Sequence, residues 1–147
     1  ETLAGSGIEL GARVMRSDSF ASEREIHRIL TEENPAPDVL LCLNAEDSLR
    51  AAQILVDYNV VGKIDVIGYY DAAQILRAVE KGILQATISL DAASVGAAAI
   101  ESFLSLEKNG RASEYRVIQT RLVDAANVHE VLRETGDPVP DVIREKE

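Results

Sequence analysis

The stretch KIDVIGYYDAAQILRAVEKGILQATISL, residues 63–90, decides the fold. It opens on KIDVIGY (63–69), a short apolar run whose composition suits a strand. Asp71 then stands at the N-cap position of a helical pattern that puts Ile75, Leu76 and Val79 on one face. Lys81 and Gly82 close it, a basic last turn followed by a glycine. A second apolar run, ILQATISL (83–90), follows at once. Strand, helix and strand in this order form a βαβ unit, which joins two parallel strands by a right-handed crossover.

The same alternation extends to both sides. DVLLCLN (38–44) is a continuous apolar run, as expected of a strand buried on both faces. AEDSLRAAQILVDYN (45–59) reads as a helix with Asn44 as N-cap, Leu49, Ala52, Gln53 and Val56 at turn spacing, and Gly62 as its break. SEREIHRILTEE (22–33) places Ile26, Ile29 and Leu30 on one face, with Ser22 and Glu25 spaced as a capping box. IELGARVM (8–15) alternates with period two and reads as a first strand. Downstream, Asp91 caps the longest helix, whose stripe is Val95, Ala99, Phe103 and Leu106 and whose stop is Gly110. YRVIQTRLV (115–123) alternates again and reads as an edge strand. The expectation is an α/β three-layer sandwich over residues 1–130. Its doubly wound parallel sheet has about five strands in flavodoxin-like order. Residues 131–147 are expected to form a polar, Pro-containing tail.

Such a sheet binds ligands beyond the carboxyl ends of its strands. Those ends are Ser17–Asp18–Ser19, Asn44–Ala45–Glu46, Tyr69–Tyr70–Asp71 and Leu90–Asp91. Half of the four tyrosines therefore fall on the edge where such a sheet binds. One tyrosine is expected to pack under a helix and the other to reach the open edge, because side chains alternate along a strand. A tyrosine there offers a flat apolar face and a hydroxyl, suited to a sugar ring or a small planar ligand.

Composition narrows the function. The 147 residues fit one domain, and the net charge of −10 speaks against a nucleic-acid partner, which needs clustered Lys and Arg. Cys42 is the single cysteine, so no internal disulfide forms, and its place within VLLCL marks it as a buried hydrophobe. There is no apolar run of about 18 residues, the length a membrane-spanning helix needs. The opening ETLAG reads as the end of a helix, so a fragment or processed domain is expected. GSGIELG (5–11) precedes a strand instead of following one, which sets it apart from a dinucleotide fingerprint. His27 and His129 lie away from the carboxyl edge, and the chain carries no nucleophile elbow and no metal-ligand spacing. No catalytic residue, cofactor or metal is expected.

Taken in order, Asn44 before an Ala-rich helix, Gly68–Tyr69 at a strand end, the Lys81–Gly82 turn, Ala86–Thr87–Ile88, Val95–Gly96 and Asn127–Val128 resemble a known pattern. It is that of the C-terminal lobe of type 1 periplasmic binding proteins, especially the sugar-binding branch similar to ribose-binding proteins and to LacI-type effector domains. The resemblance covers nearly residues 1–130. It implies a non-enzymatic solute-binding module for a sugar or other small molecule, with ligand clamped between this lobe and an N-terminal lobe. It further implies an ABC permease or membrane sensor as partner, and a place outside the cytoplasm, in the periplasm or as a cell-surface lipoprotein. The alternative is the effector lobe of a LacI-type transcriptional regulator in the cytoplasm. By the resemblance, Asn44 matches a ligand-contacting position. Ala45 and Tyr70 stand where sugar binders carry Asp, and Leu90 stands where they carry Gln. The ligand-binding set expected on both grounds is Ser17, Asp18, Asn44, Ala45, Glu46, Tyr69, Tyr70, Asp71, Leu90 and Asp91. The cleft face with Tyr70 and Leu90 is also expected to attract a second copy of the isolated lobe.

Overall fold

A computed structural model describes residues 5–15, 19–111 and 115–136. Its elements run α1 (Ser19–Thr31), β1 (Val39–Leu41), α2 (Ala45–Asp57), β2 (Asp65–Tyr69), α3 (Ala73–Glu80), β3 (Ala86–Leu90), α4 (Ala92–Asn109), β4 (Thr120–Asp124) and α5 (Val128–Glu134). The sheet order is β1-β2-β3-β4. β1, β2 and β3 are parallel, with Leu40 opposite Val66 and Gly68 opposite Thr87. The βαβ units expected around residues 38–90 are present.

The sheet differs from expectation in three ways. It has four strands among the described residues, and β4 runs antiparallel to β3, with Thr120 opposite Leu90 and Asp124 opposite Ala86. The strand order contains no reversal, so the flavodoxin-like, doubly wound arrangement is not realised in these strands. The segment Ile8–Met15 forms no strand. Its alternation is real, but a strand needs a neighbour for its N–H and C=O groups, and this segment pairs with none of the described strands. Ile8, Leu10 and Val14 are exposed, while Met15 packs against the core.

One face of the sheet carries most of the core. Val66, Thr87 and Val123 point to it and are fully buried, against Ile75, Leu76 and Val79 of α3, Val128, Val131 and Leu132 of α5, and Ala51, Ile54 and Leu55 of α2. α1 adds Ile26 and Leu30. Parallel strands are ordinarily covered on both faces, and here the second face is thinly covered. Val39, Leu41 and Leu122 are about half exposed on it. α4 buries none of its residues, so the expected stripe of Val95, Ala99, Phe103 and Leu106 lies open to solvent. Among the described residues α4 therefore does not form the third layer of the expected sandwich. β1 is an open edge as well. Asp38 O and the Cys42 N–H bond to β2, so the peptide groups of Val39 and Leu41, which alternate with them, face outward.

Three local expectations also change. Ser22 is not a cap. α1 starts at Ser19, and the buried Ser22 hydroxyl donates to Asp47 Oδ1 at 3.2 Å, fastening α1 to α2. In α2, Gln53 and Val56 face solvent and the buried set is Asp47, Ser48, Ala51, Ala52, Ile54 and Leu55. The boundary expected at residue 130 falls inside α5, whose Val131 and Leu132 are buried, so 131–134 belong to the packed lobe. The rest of the expected tail beyond Gly136 lies outside the described residues.

Candidate functional site

Because β1, β2 and β3 are parallel, their carboxyl ends share one edge of the sheet. The structure brings Asn44, Ala45 and Glu46 to that edge after β1, Tyr69, Tyr70 and Asp71 at the end of β2, and Leu90 and Asp91 at the end of β3. Ser17 and Asp18 lie outside the described residues. Thr120 reaches the same edge because β4 runs antiparallel. Sequence alone could not place it, since an alternating pattern carries no strand direction.

Each group is held differently. Asn44 is the N-cap of α2: its Oδ1 accepts the Asp47 N–H at 2.7 Å and its amide donates to Asp47 Oδ2 at 2.6 Å. The cap that satisfies α2 thereby fixes the amide of Asn44 at the edge. Glu46 is exposed and paired with Arg50, whose second contact is Asp47 Oδ1 at 3.4 Å. Ala45 is half-buried and packs against the core, so it offers no polar contact.

Asp71 is not the cap of α3. That helix begins at Ala73 with Ala72 as a cap residue that makes no side-chain bond. Asp71 Oδ2 instead accepts the hydroxyl of Ser89, itself buried, at 2.7 Å. Asp91 does cap its helix. Its Oδ1 accepts the Ser94 N–H at 3.0 Å and its Oδ2 the Ser94 hydroxyl at 2.5 Å, and these bonds lower its pKa below the usual aspartate value.

Tyr69 is half-buried on the face away from α3, and its N–H donates to Ser48 Oγ at 2.9 Å. Tyr70 is exposed, with a backbone φ of 82°. Tyr70 is thus the tyrosine that reaches the edge. Tyr69 lies on the thinly covered face, not beneath the α2–α3 layer. Leu90 is half-buried. The edge carries an exposed aromatic ring, one amide and two carboxylates.

Two shallow surface grooves lie elsewhere. One of about 320 Å³, lined by Phe20, Glu23, Arg24, His27, Ile54 and Tyr58, sits at the end of α2 far from Asn44. Another of about 290 Å³ runs between α2 and α3. Neither includes a candidate residue, and both are shallow folds between helices. Among the described residues no cluster of His, Cys, Asp and Glu is arranged to hold a metal, and no helix is long and apolar enough to cross a membrane.

No family model matches the chain. The D-allose-binding periplasmic protein of Escherichia coli (strain K12) is 26% identical over 98 residues, which cover 63% of this chain and 32% of that protein. The Caulobacter myo-inositol binding protein, solved with myo-inositol bound, superposes with a TM-score of 0.72 at 22% identity, over 91% of this chain and 47% of that one. A XylFII–LytSN complex superposes with a TM-score of 0.63 at 21% identity, over 80% of this chain and 42% of that one. The chain has the α/β fold of a single lobe of type 1 periplasmic sugar-binding proteins. It spans about a third to a half of the length of the proteins it matches. The relatives named here by their ligands are sugar- or polyol-binding proteins, not enzymes.

Proposed function

We propose that these residues form one lobe of a solute-binding module outside the cytoplasm, for a sugar or another small molecule. In this reading the lobe binds and does not catalyse. One observation carries it: Asn44, Tyr70, Asp71 and Asp91 converge on the carboxyl edge of a sheet whose fold is shared with sugar- and polyol-binding proteins. The Tyr70 ring offers a stacking face, and the Asn44 amide with the Asp71 and Asp91 carboxylates offers partners for ligand hydroxyls. Ala45 and Leu90 contribute shape only. A second lobe supplies the rest of the ligand's shell. An ABC permease or a membrane sensor receives the loaded protein, in the periplasm or at the cell surface as a lipoprotein. The XylFII–LytSN complex supports a protein partner.

Residue-resolved NMR tests the site. Titration of the chain with D-allose or myo-inositol is expected to move the amide signals around Asn44, Tyr70, Asp71 and Asp91. Shifts confined to the groove of Phe20, His27 and Tyr58, or none at all, would overturn the reading.

A further inference from the structure

We propose that Thr87 is a positioning residue for the candidate ligand edge: its buried hydroxyl pins the Tyr70 carbonyl and holds Tyr70 in the left-handed backbone conformation that turns Tyr70 and Asp71 off the end of β2. The inference rests on the reading of that edge as the binding surface, and adds how its two central residues are aimed.

Tyr70 has φ 82°. Among the described residues, Asn59 is the only other non-glycine with positive φ, and asparagine tolerates that region well. A tyrosine does not, and such strain persists only where the surroundings over-determine it. Here they do. The Tyr70 N–H donates to Ile88 O at 2.8 Å, and the Tyr70 carbonyl accepts the Thr87 hydroxyl at 2.7 Å. Both peptide groups of the strained residue are therefore bonded to β3.

Thr87 is fully buried, so its hydroxyl must find a partner, and the turned carbonyl of Tyr70 is that partner. Gly68 makes room. It stands opposite Thr87, and a Cβ on it would lie 3.3 Å from Thr87 Oγ1 and 3.3 Å from Leu84 Cδ1. A Cβ at Gly68 would crowd both atoms, and they would have to give by a few tenths of an ångström. Two residues further on the same face of β3, the Ser89 hydroxyl holds Asp71 Oδ2 at 2.7 Å. Consecutive inward hydroxyls of β3 thus fix consecutive residues of the edge.

The test uses the 147-residue chain. Tyr70→Gly and Tyr70→Ala both remove the ring. With Tyr70 left-handed, the Tyr70→Gly variant melts about 2–4 °C above Tyr70→Ala; an extended Tyr70 reverses the order and overturns the inference. Thr87→Val is expected to move the amide signals of Tyr70 and Asp71 and to change their response to D-allose at about 100 mM, a concentration that populates binding weaker than about 1 mM. Thr87→Ser, which keeps the hydroxyl, restores both. Unmoved signals in Thr87→Val would also overturn the inference. If Thr87→Val does not fold, Thr87→Ser and the pair at Tyr70 decide. Should the unmodified chain show no response to D-allose, the binding edge falls and with it the ligand-directed role of Thr87, while the melting order still decides the left-handed turn and the Thr87→Val signals decide the pin.

Discussion

Ser48 Oγ accepts the backbone N–H of Tyr69 at 2.9 Å, while its hydroxyl donates to the Asn44 carbonyl at 2.7 Å. A single buried hydroxyl thus ties the first turn of α2 to the end of β2, and two of the three strand ends of the candidate edge are joined through it. Ser48→Ala leaves the Tyr69 N–H without this partner in a half-buried setting. The expected cost is about 1–3 kcal/mol, the range for an orphaned buried donor. Urea denaturation checks it. A change below about 0.3 kcal/mol, within the scatter of surface substitutions, would show that the tie contributes nothing.

Cys42 is buried at the end of β1, and burial pushes its thiol pKa up to about 12, with the Asp47 carboxylate adding to the effect. The thiolate is the reactive form. Native labelling by a bulky thiol reagent at pH 8 is therefore expected only at the rate of unfolding. Raising the folded pKa above its ordinary value of 9.0 means that the folded state holds this proton more tightly. The contribution to stability is complete below that ordinary value and is lost as pH rises toward about 12. Alkaline denaturation of the chain and of Cys42→Ala should diverge in that window. Prompt labelling of the native chain would contradict the placement of β1.

Asp91 behaves in the opposite sense. Its bonds to Ser94 favour the carboxylate, so its contribution to α4 is present above the ordinary aspartate pKa and is lost as pH falls through the lowered folded value. α4 buries none of its residues and gains little from packing, so the loss of its cap has a local effect. Asp91→Ala is expected to raise amide exchange throughout residues 92–109 while leaving β2 and β3 protected. Uniform destabilisation of the whole fold would contradict the marginal attachment of α4.

The exposed apolar side chains of α4 predict self-association. Ile100, Phe103 and Leu106 on α4 are 50–66% exposed, and Leu41 and Leu122, at opposite edges of the sheet, are 48–56% exposed. An apolar patch of this kind seldom stays open to water. Sedimentation velocity at about 100 µM, a concentration that populates even weak contacts, should show dimers or larger species. Phe103→Glu with Leu106→Glu should return the chain to a monomer. A monomeric unmodified chain would refute this.

Much of the fold was legible because the relevant forces are local. Asn44 and Asp91 cap helices where their spacing to an apolar face places them, and the βαβ unit over residues 63–90 follows from short apolar runs separated by one amphipathic helix. What failed needed information from across the chain. Ile8–Met15 has a strand's alternation but no neighbour to bond, and Val95, Ala99, Phe103 and Leu106 have a core stripe's spacing but nothing to bury it. Asp71 stands one residue too early for a cap, because α3 begins at Ala73 and its cap position is Ala72. The edge itself was legible from strand ends, whereas Thr120, Ser89 and Thr87 needed the register of β3 with its neighbours.

The central claim is that this lobe offers half of a ligand's shell. A shelf open to water buries less of a small molecule than a closed cleft, and each 1.4 kcal/mol of lost contact weakens binding about tenfold. Isothermal calorimetry of the 147-residue chain with D-allose and with myo-inositol measures this directly. The account predicts dissociation constants weaker than about 1 mM, a binding free energy of no more than about 4 kcal/mol. Micromolar affinity would contradict it, by showing a complete site within this one lobe.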